Sequence, residues 1–401
     1  MDSKSLNVAV FIGSDIQLGG GYSYEYTVLD AIKKYHKDSD ICFKYFTKNK
    51  RVKKDYARLN LPVVEIKENF FQEIHRFCLS NVFLYRLLKK IKLNCSSIEK
   101  DLINCDIDIV YLSPKYGIAH TLINIPFVFT LWDFGHLDFP EFPEVSYDGK
   151  FEQREYLLTK SLKKAFKVIV ESNYGKKQLI KKYHLSSNRI EVLTMLPNIS
   201  LLNQGKYIDI KKKYNIKNDY IFYPAQFWAH KNHIYILKTL KILKNNNMKI
   251  NAVFSGSDKG NLQYILRKAK DYEVEDMVHY IGFVPNEEMP FLYKQSLSLV
   301  MPTYLGPTNI PPLEAFSLGV PVCYSDKPYF REQVGEAAFF MDLSNPQSLA
   351  DCLIKIKNND ELVNNKIQEG KKLIDNWSNE DFYNKLLSIF KEYKYIRELW
   401  T

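Results

Sequence analysis

PTYLGPTNIPPLEAFSLGVPV, residues 302–322, decides how the rest of the chain is read. It starts at the end of an apolar run, LSLVMPT (297–303), and passes through Gly306-Pro307-Thr308-Asn309-Ile310. Pro311 and Pro312 then stand where a helix should open. Proline suits that place because the first helical turn does not use its N–H groups for intrahelical bonds. The pattern predicts a helix over 311–318, with Glu314 in its first turn, and a strand PVCYS over 321–325. Strand, glycine loop, short helix and strand make one step of a parallel α/β sheet.

The same step recurs on both sides. YIFYPA (220–225), INAVFSG (250–256) and VHYIGFV (278–284) read as strands, with helices over 233–245, 260–270, 286–294, 346–357 and 361–376. Earlier, NVAVFIG (7–13), ICFKYF (41–46), PVVEI (62–66), DIDIVYLS (106–113), PFVFTLWD (126–133) and KVIVES (167–172) are short apolar runs. Such runs suit strands covered on both faces. Gly19-Gly20-Gly21 reads as a turn before a helix reaching about Tyr35, 70–93 as one long aromatic helix, and 151–165 as another helix. Residues 196–218 are polar and contain Pro197, Asn198 and Gly205, a candidate linker. The prediction is an N-terminal unit over 1–200, a second unit over 207–378, and a final helix in 379–401 that packs back on the first. Ligands of open α/β sheets bind at the carboxyl ends of the strands, so two such units facing each other would enclose a cleft.

Composition excludes several alternatives. Of 401 residues, 46% are hydrophobic and 25% charged, which rules out a disordered chain, a collagen and a coiled coil. No apolar run reaches the ~18 residues of a membrane span. The opening MDSKSLNVAVFIGSD has no secretory pattern, and six irregularly spaced cysteines read as reduced thiols, so a cytoplasmic protein is expected. The net charge of +10 suggests an anionic partner. The excess lies mainly in residues 1–200, which hold 30 basic and 23 acidic residues against 26 and 23 in the remainder. Residues 74–98 contain Arg76, Arg86, Lys89, Lys90 and Lys92 with no acid, interspersed with Phe77, Phe83, Leu84, Leu87, Leu88 and Ile91. A basic aromatic helix on an anionic membrane and a core helix with a solvated basic face both fit that pattern. No nucleic-acid recognition motif accompanies the charge, so no nucleic-acid partner is expected.

The 302–322 segment resembles the donor-binding motif of the retaining glycosyltransferases of family 4, which have the GT-B fold. Three further segments resemble that family in the right order. They are YPAQFWAHKNH (223–233) with Lys231, VFSGS (253–257), and VHYIGFVPNEEMPFLYKQS (278–296). The first half resembles it more loosely. FTLWDFGHLDFPEFP (129–143) carries Trp132 where the family has a histidine, and ESNYGKKQLIKKY (171–183) resembles a serine-bearing segment. The resemblance implies an α/β GT-B fold of two facing Rossmann-like doubly wound domains with a cleft between them. It implies a hexosyltransferase-type enzyme that takes a UDP-, GDP- or dTDP-sugar and transfers it to a glycan or lipid-linked glycan of a cell-surface polysaccharide. Such an enzyme would keep the anomeric configuration, need no metal or other cofactor, and work in the cytoplasm or on the inner face of the cell membrane.

Carried over residue by residue, the resemblance assigns Lys231 to the departing phosphate and Glu314 to the ribose hydroxyls. It assigns Gly20, Gly21, Gln226, His230, Gly306, Pro307, Thr308, Asn309 and Ile310 to the donor. Asp133 and His136 would orient a hydroxyl, Gly256, Phe283 and Val284 would lie near the base, and Arg86, Lys89, Lys90 and Lys92 would meet the membrane. A full charge on Lys231 and backbone amides at a helix N-terminus suit the charge that develops on a diphosphate. A carboxylate can accept bonds from two ribose hydroxyls at once. The chain departs from the family at two places. Gly306 replaces a glutamate eight positions before Glu314, and Gln226 replaces an arginine five before Lys231. His230 and His233 flank the lysine and are candidate replacements for the lost charge. The departures leave two other readings open, a GT-B nucleotide-sugar epimerase and a catalytically silent nucleotide-sugar-binding protein. Asp106-Ile107-Asp108 resembles a DxD metal motif but leads straight into a buried strand with no cluster of ligands, so it is not read as a metal site.

Overall fold

A computed structural model describes residues 5–14, 20–56, 60–113, 116–197, 206–306 and 308–400. The chain divides into two compact units. One holds Met1–Trp132, Gly149–Thr194 and Asn379–Thr401; the other holds Asp133–Asp148 and Met195–Ser378.

The first unit is built on a parallel sheet of β1 (Leu6–Phe11), β2 (Ile41–Thr47), β3 (Val63–Glu65), β4 (Ile109–Leu112), β5 (Phe127–Thr130), β6 (Lys167–Val170) and β7 (Ile190–Val192). Their order is β3-β2-β1-β4-β5-β6-β7, so direction of travel reverses between β1 and β4. Strands β4, β5 and β6 are buried at every residue, which is why their sequences are mostly apolar. The exceptions are Thr130 at the end of β5 and Lys167 at the start of β6, whose ammonium pairs with Glu392 at 2.8 Å. The terminal helix Asn379–Arg397 packs on the helix Gly20–Tyr35 within this unit. Tyr383 Oη lies 2.8 Å from His36 Nδ1, Phe390 meets Phe43 edge to face, and Arg397 pairs with Asp108 at 2.6 Å. Asp108 also accepts from the Asn7 amide at 2.8 Å, so the second aspartate of the DxD sequence is a structural ion-pair partner.

The second unit has a parallel sheet of β8 (Asp219–Pro224), β9 (Ile250–Ser255), β10 (Val278–Tyr280), β11 (Ser298–Met301), β12 (Val322–Ser325) and β13 (Phe339–Met341). The order is β10-β9-β8-β11-β12-β13. Its reversal falls between β8 and β11, which places the loops following those two strands side by side. The helix Ile310–Ser317 is seated by the helix Asp360–Asp375 at Gly370. A Cβ there would stand 2.3 Å from the Phe316 ring, so only glycine allows this approach.

Several elements differ from the sequence reading. The helix predicted over 70–93 is two, Phe70–Leu79 and Val82–Lys90, because Asn81 caps the second by accepting from the Phe83 and Leu84 amides. Gly20 and Gly21 open a helix and do not form a turn; Gly19 lies outside the described residues. Residues 133–148, which the sequence reading left within 1–200, form the short helical turns Gly135–Asp138 and Pro143–Ser146 and pack with the second unit. Phe139 and Phe142 hold them there against Tyr304. Among the described residues, no helix is long and apolar enough to cross a membrane.

Candidate functional site

The loop after β8 makes a single turn, Ala229–Lys231, and Asn232 takes a left-handed conformation before the helix His233–Asn245. That turn points Lys231 toward the neighbouring loop, where its Nζ lies 3.4 Å from Asn309 Oδ1. Burial lowers the Lys231 ammonium to about 8, against the opposing pull of the Asp133 and Glu144 carboxylates. A cation so held gains from any anion that enters beside it.

The loop after β11 is clamped at Asn309. Its amide donates to Gln333 Oε1 at 3.1 Å, its carbonyl accepts from Gln333 Nε2 at 2.6 Å, and its Nδ2 donates to Tyr324 Oη at 2.7 Å. Gly306 has φ of +91°, which favours glycine there. Pro307 lies outside the described residues. From 306 to 312 the prolines at 307, 311 and 312 carry no N–H, so the amides of this stretch are those of Gly306, Thr308, Asn309 and Ile310. The Asn309 amide is held by Gln333. Glu314 is the fifth residue of its helix, one turn deeper than the first-turn position read from the sequence. It accepts from Tyr293 Oη at 2.7 Å, and burial pushes its carboxyl upward while that bond lowers it.

The two histidines beside Lys231 do different things. His230 is held by Glu144, and burial keeps its pKa low despite that carboxylate. His233 is buried and stacked on Phe227, with ring centroids 4.3 Å apart and planes 12° apart. Burial takes it down to about 3, so near neutral pH it is an uncharged packing group and not a replacement charge. Gln226 Oε1 accepts from Trp228 Nε1 at 3.0 Å. Gly256 lies under this loop with φ of +138°, where a Cβ would come within 2.5 Å of the Ala225 carbonyl. Of the residues assigned near the base, Phe283 is exposed and Val284 is buried. Asp133 Oδ1 accepts from the Gly135 amide at 2.7 Å, and His136 is buried in the turn that follows.

In the first unit, Gly21 packs where a Cβ would lie 3.1 Å from Ser14 Oγ and 3.2 Å from the Trp132 ring. The end of β1 is held by Glu25, whose carboxylate accepts from the Gly13 amide at 2.9 Å, the Ser14 amide at 2.8 Å and Tyr56 Oη at 3.0 Å. Arg86, Lys89 and Lys90 are exposed on the second helix of the 70–93 hairpin, and Lys92 is exposed in the turn just after it. Arg76, grouped with them in the sequence, is buried and paired with Glu68.

Lys231, Asn309, Glu314 and Gly256 all lie in a stretch that a known family describes. The profile of the glycosyl transferases group 1 family matches residues 207–373. Those residues are a group 1 glycosyl transferase domain. The O-antigen chain mannosyltransferase B of Escherichia coli is 22% identical over 252 residues, covering 62% of this chain and 65% of that protein. The O-antigen chain mannosyltransferase RfbU of Salmonella typhimurium strain LT2 is 25% identical over 244 residues, covering 58% and 65%. The chain thus spans just under two thirds of the length of these curated relatives. The solved glycosyltransferase of Rickettsia africae ESF-5 superposes with a TM-score of 0.70 at 16% identity, over 97% of this chain and 98% of that one. Anabaena Alr3699/HepE in complex with UDP does so at 0.72 and 14%, over 96% and 100%. The two parallel-sheet α/β units are those of the GT-B fold.

Sequence reasoning missed residues that hold the group 1 domain's loops in place. Glu144 and Tyr304 belong to that set, because nothing in the pattern of 133–148 announces which unit it joins. Glu25, in the first unit, sits within the aromatic stretch Tyr22-Ser23-Tyr24-Glu25-Tyr26. A lone acid on an otherwise buried helical face was the signal available there.

Proposed function

We propose that the chain is a retaining, metal-independent glycosyltransferase. It moves a hexose from a nucleotide sugar to a glycan or lipid-linked glycan in the synthesis of an O-antigen, capsule or LPS-type polysaccharide. The observation that carries this reading is Lys231 Nζ beside Asn309 at the β8/β11 reversal, next to the start of the helix Ile310–Ser317. The bond from the anomeric carbon to the phosphate oxygen breaks as the acceptor hydroxyl attacks from the same face. The hydroxyl proton passes to the departing phosphate oxygen, so no separate protein base is used. Lys231 and the loop amides stabilise the charge that develops on that oxygen. Glu314, fixed by Tyr293, takes the ribose hydroxyls, and Asp133 and His136 orient a hydroxyl near the reacting carbon.

The relatives named as mannosyltransferases support a mannose donor, and the neighbour solved with UDP supports a uridine base. A panel of UDP-, GDP- and dTDP-sugars therefore tests the donor, and the reaction belongs in the cytoplasm on the inner face of the membrane. Incubation of each sugar nucleotide with and without a glycan acceptor should give transfer only with acceptor, an unchanged anomeric configuration by NMR, and full rate in EDTA. Interconversion of the free sugar nucleotide would establish the epimerase instead. Binding without any transfer would establish a silent binding protein, the outcome Gly306 and Gln226 raise.

A further inference from the structure

The hairpin of Phe70–Leu79 and Val82–Lys90 is well made and poorly covered. Its first helix carries a capping box between Asn69 and Gln72, and its second is capped by Asn81. His75 Nε2 reaches the Leu93 carbonyl at 2.9 Å, across the two helices. Arg76 fastens the hairpin to the unit through Glu68 at 2.9 Å and Thr121 Oγ1 at 3.1 Å. Yet Val82–Lys90 has no buried residue, and Phe70, Phe71, Val82 and Phe83 are each at least 70% exposed. A nine-residue helix with nothing buried has little stability of its own in water. Something that covers its apolar face would supply what is missing.

The distribution of charge says what. Phe83, Leu87 and Ile91 recur every four residues and share one face. Arg86 and Lys90 border that face, Lys89 lies beyond them, and no acidic residue occurs from 74 to 98. A second copy of the chain docked about a two-fold axis would set these cations against themselves. An anionic lipid surface accepts both components, rings and aliphatic chains in the acyl boundary and cations at the headgroups. We infer that this hairpin is a lipid-docking element for anionic phospholipid, with Phe83, Leu87 and Ile91 inserted and Arg86, Lys89 and Lys90 at the phosphates. It deepens the peripheral location proposed above, rests on that location, and does not depend on the transfer chemistry.

The test is co-sedimentation of the full chain with vesicles of phosphatidylcholine alone or mixed with phosphatidylglycerol. Wild type should partition at least about tenfold more strongly to the anionic vesicles. Phe83→Ser with Leu87→Ser, and separately Lys89→Gln with Lys90→Gln, should each lower that partition by about tenfold or more. Urea midpoints of both variants within experimental error of wild type show that the fold is kept. Wild type left in the supernatant with anionic vesicles overturns the inference, as does equal partition of wild type and both variants. Light scattering that finds a dimer, abolished by Phe83→Ser with Leu87→Ser, overturns it in favour of self-association. Vesicle binding without sugar transfer leaves the docking element standing and removes only the transferase reading.

Discussion

Glu144 Oε1 accepts twice from His230, from the peptide N–H at 2.8 Å and from the ring Nδ1 at 2.5 Å. His230 in turn accepts at its carbonyl from the Tyr304 amide at 3.0 Å. One buried carboxylate therefore braces both loops of the proposed donor site, since His230 precedes Lys231 and Tyr304 precedes the 306–310 loop. Removing it leaves two donors without their acceptor, a loss on the order of 1–3 kcal/mol. Glu144→Ala should raise the donor KM by about tenfold or more, while Glu144→Gln, which keeps an acceptor oxygen, should recover most of it. Equal KM for all three proteins would remove the bracing role.

Burial alone raises the Glu144 carboxyl, but its bonds to His230 bring it below the ordinary range. Its contribution to stability is therefore present above its unfolded pKa and lost as pH falls through the folded value. His233 acts over a wider window. Its folded pKa of about 3 lies below the ordinary 6.5, so from 6.5 down to 3 the unfolded chain binds a proton that the native chain refuses. Stability falls with acid across that range, by up to on the order of 4 kcal/mol. His233→Phe keeps a ring against Phe227 and should flatten the dependence of the urea midpoint on pH between 6 and 4. A slope identical to wild type would show that another group sets it.

Gly370 and Phe316 give a purely steric prediction. Gly370→Ala places a methyl where the Phe316 ring already is, and the helix Ile310–Ser317 must shift. Overpacking of this kind costs about 1–3 kcal/mol. The urea midpoint should drop accordingly and the donor KM should rise. An unchanged midpoint would mean that the two helices separate without loss.

Much of this fold was legible because a parallel sheet writes itself as largely apolar runs, as in β4 and in the Val168-Ile169-Val170 stretch of β6. The start of the helix Ile310–Ser317 was legible for a different reason, since Pro311 and Pro312 suit its first turn. Register was harder. Glu314 lies in the second turn because the helix opens at Ile310, one residue before the first proline. The break at Ser80-Asn81 was written in a capping residue, but the continuous aromatic pattern on either side of it outweighed that signal. Charge misled most at Arg76, whose partner Glu68 lies outside the acid-free stretch. The attachment of 133–148 depends on Phe139, Phe142 and Glu144 finding Tyr304 and His230, pairings between residues 86 to 165 positions apart that no local pattern encodes.

The central claim is that Lys231 binds the donor's diphosphate. Its ammonium, held near 8 by burial and below the ordinary 10.5, is lost as pH rises through that value. The decisive measurement is calorimetric titration of UDP, GDP and dTDP into wild type and Lys231→Ala from pH 7 to 9.5. At pH 7 wild type should bind one of the three at least about tenfold more tightly than the variant. Its affinity should then fall above pH 8 while the variant's stays flat. Equal affinity of the two proteins at pH 7 would contradict the account.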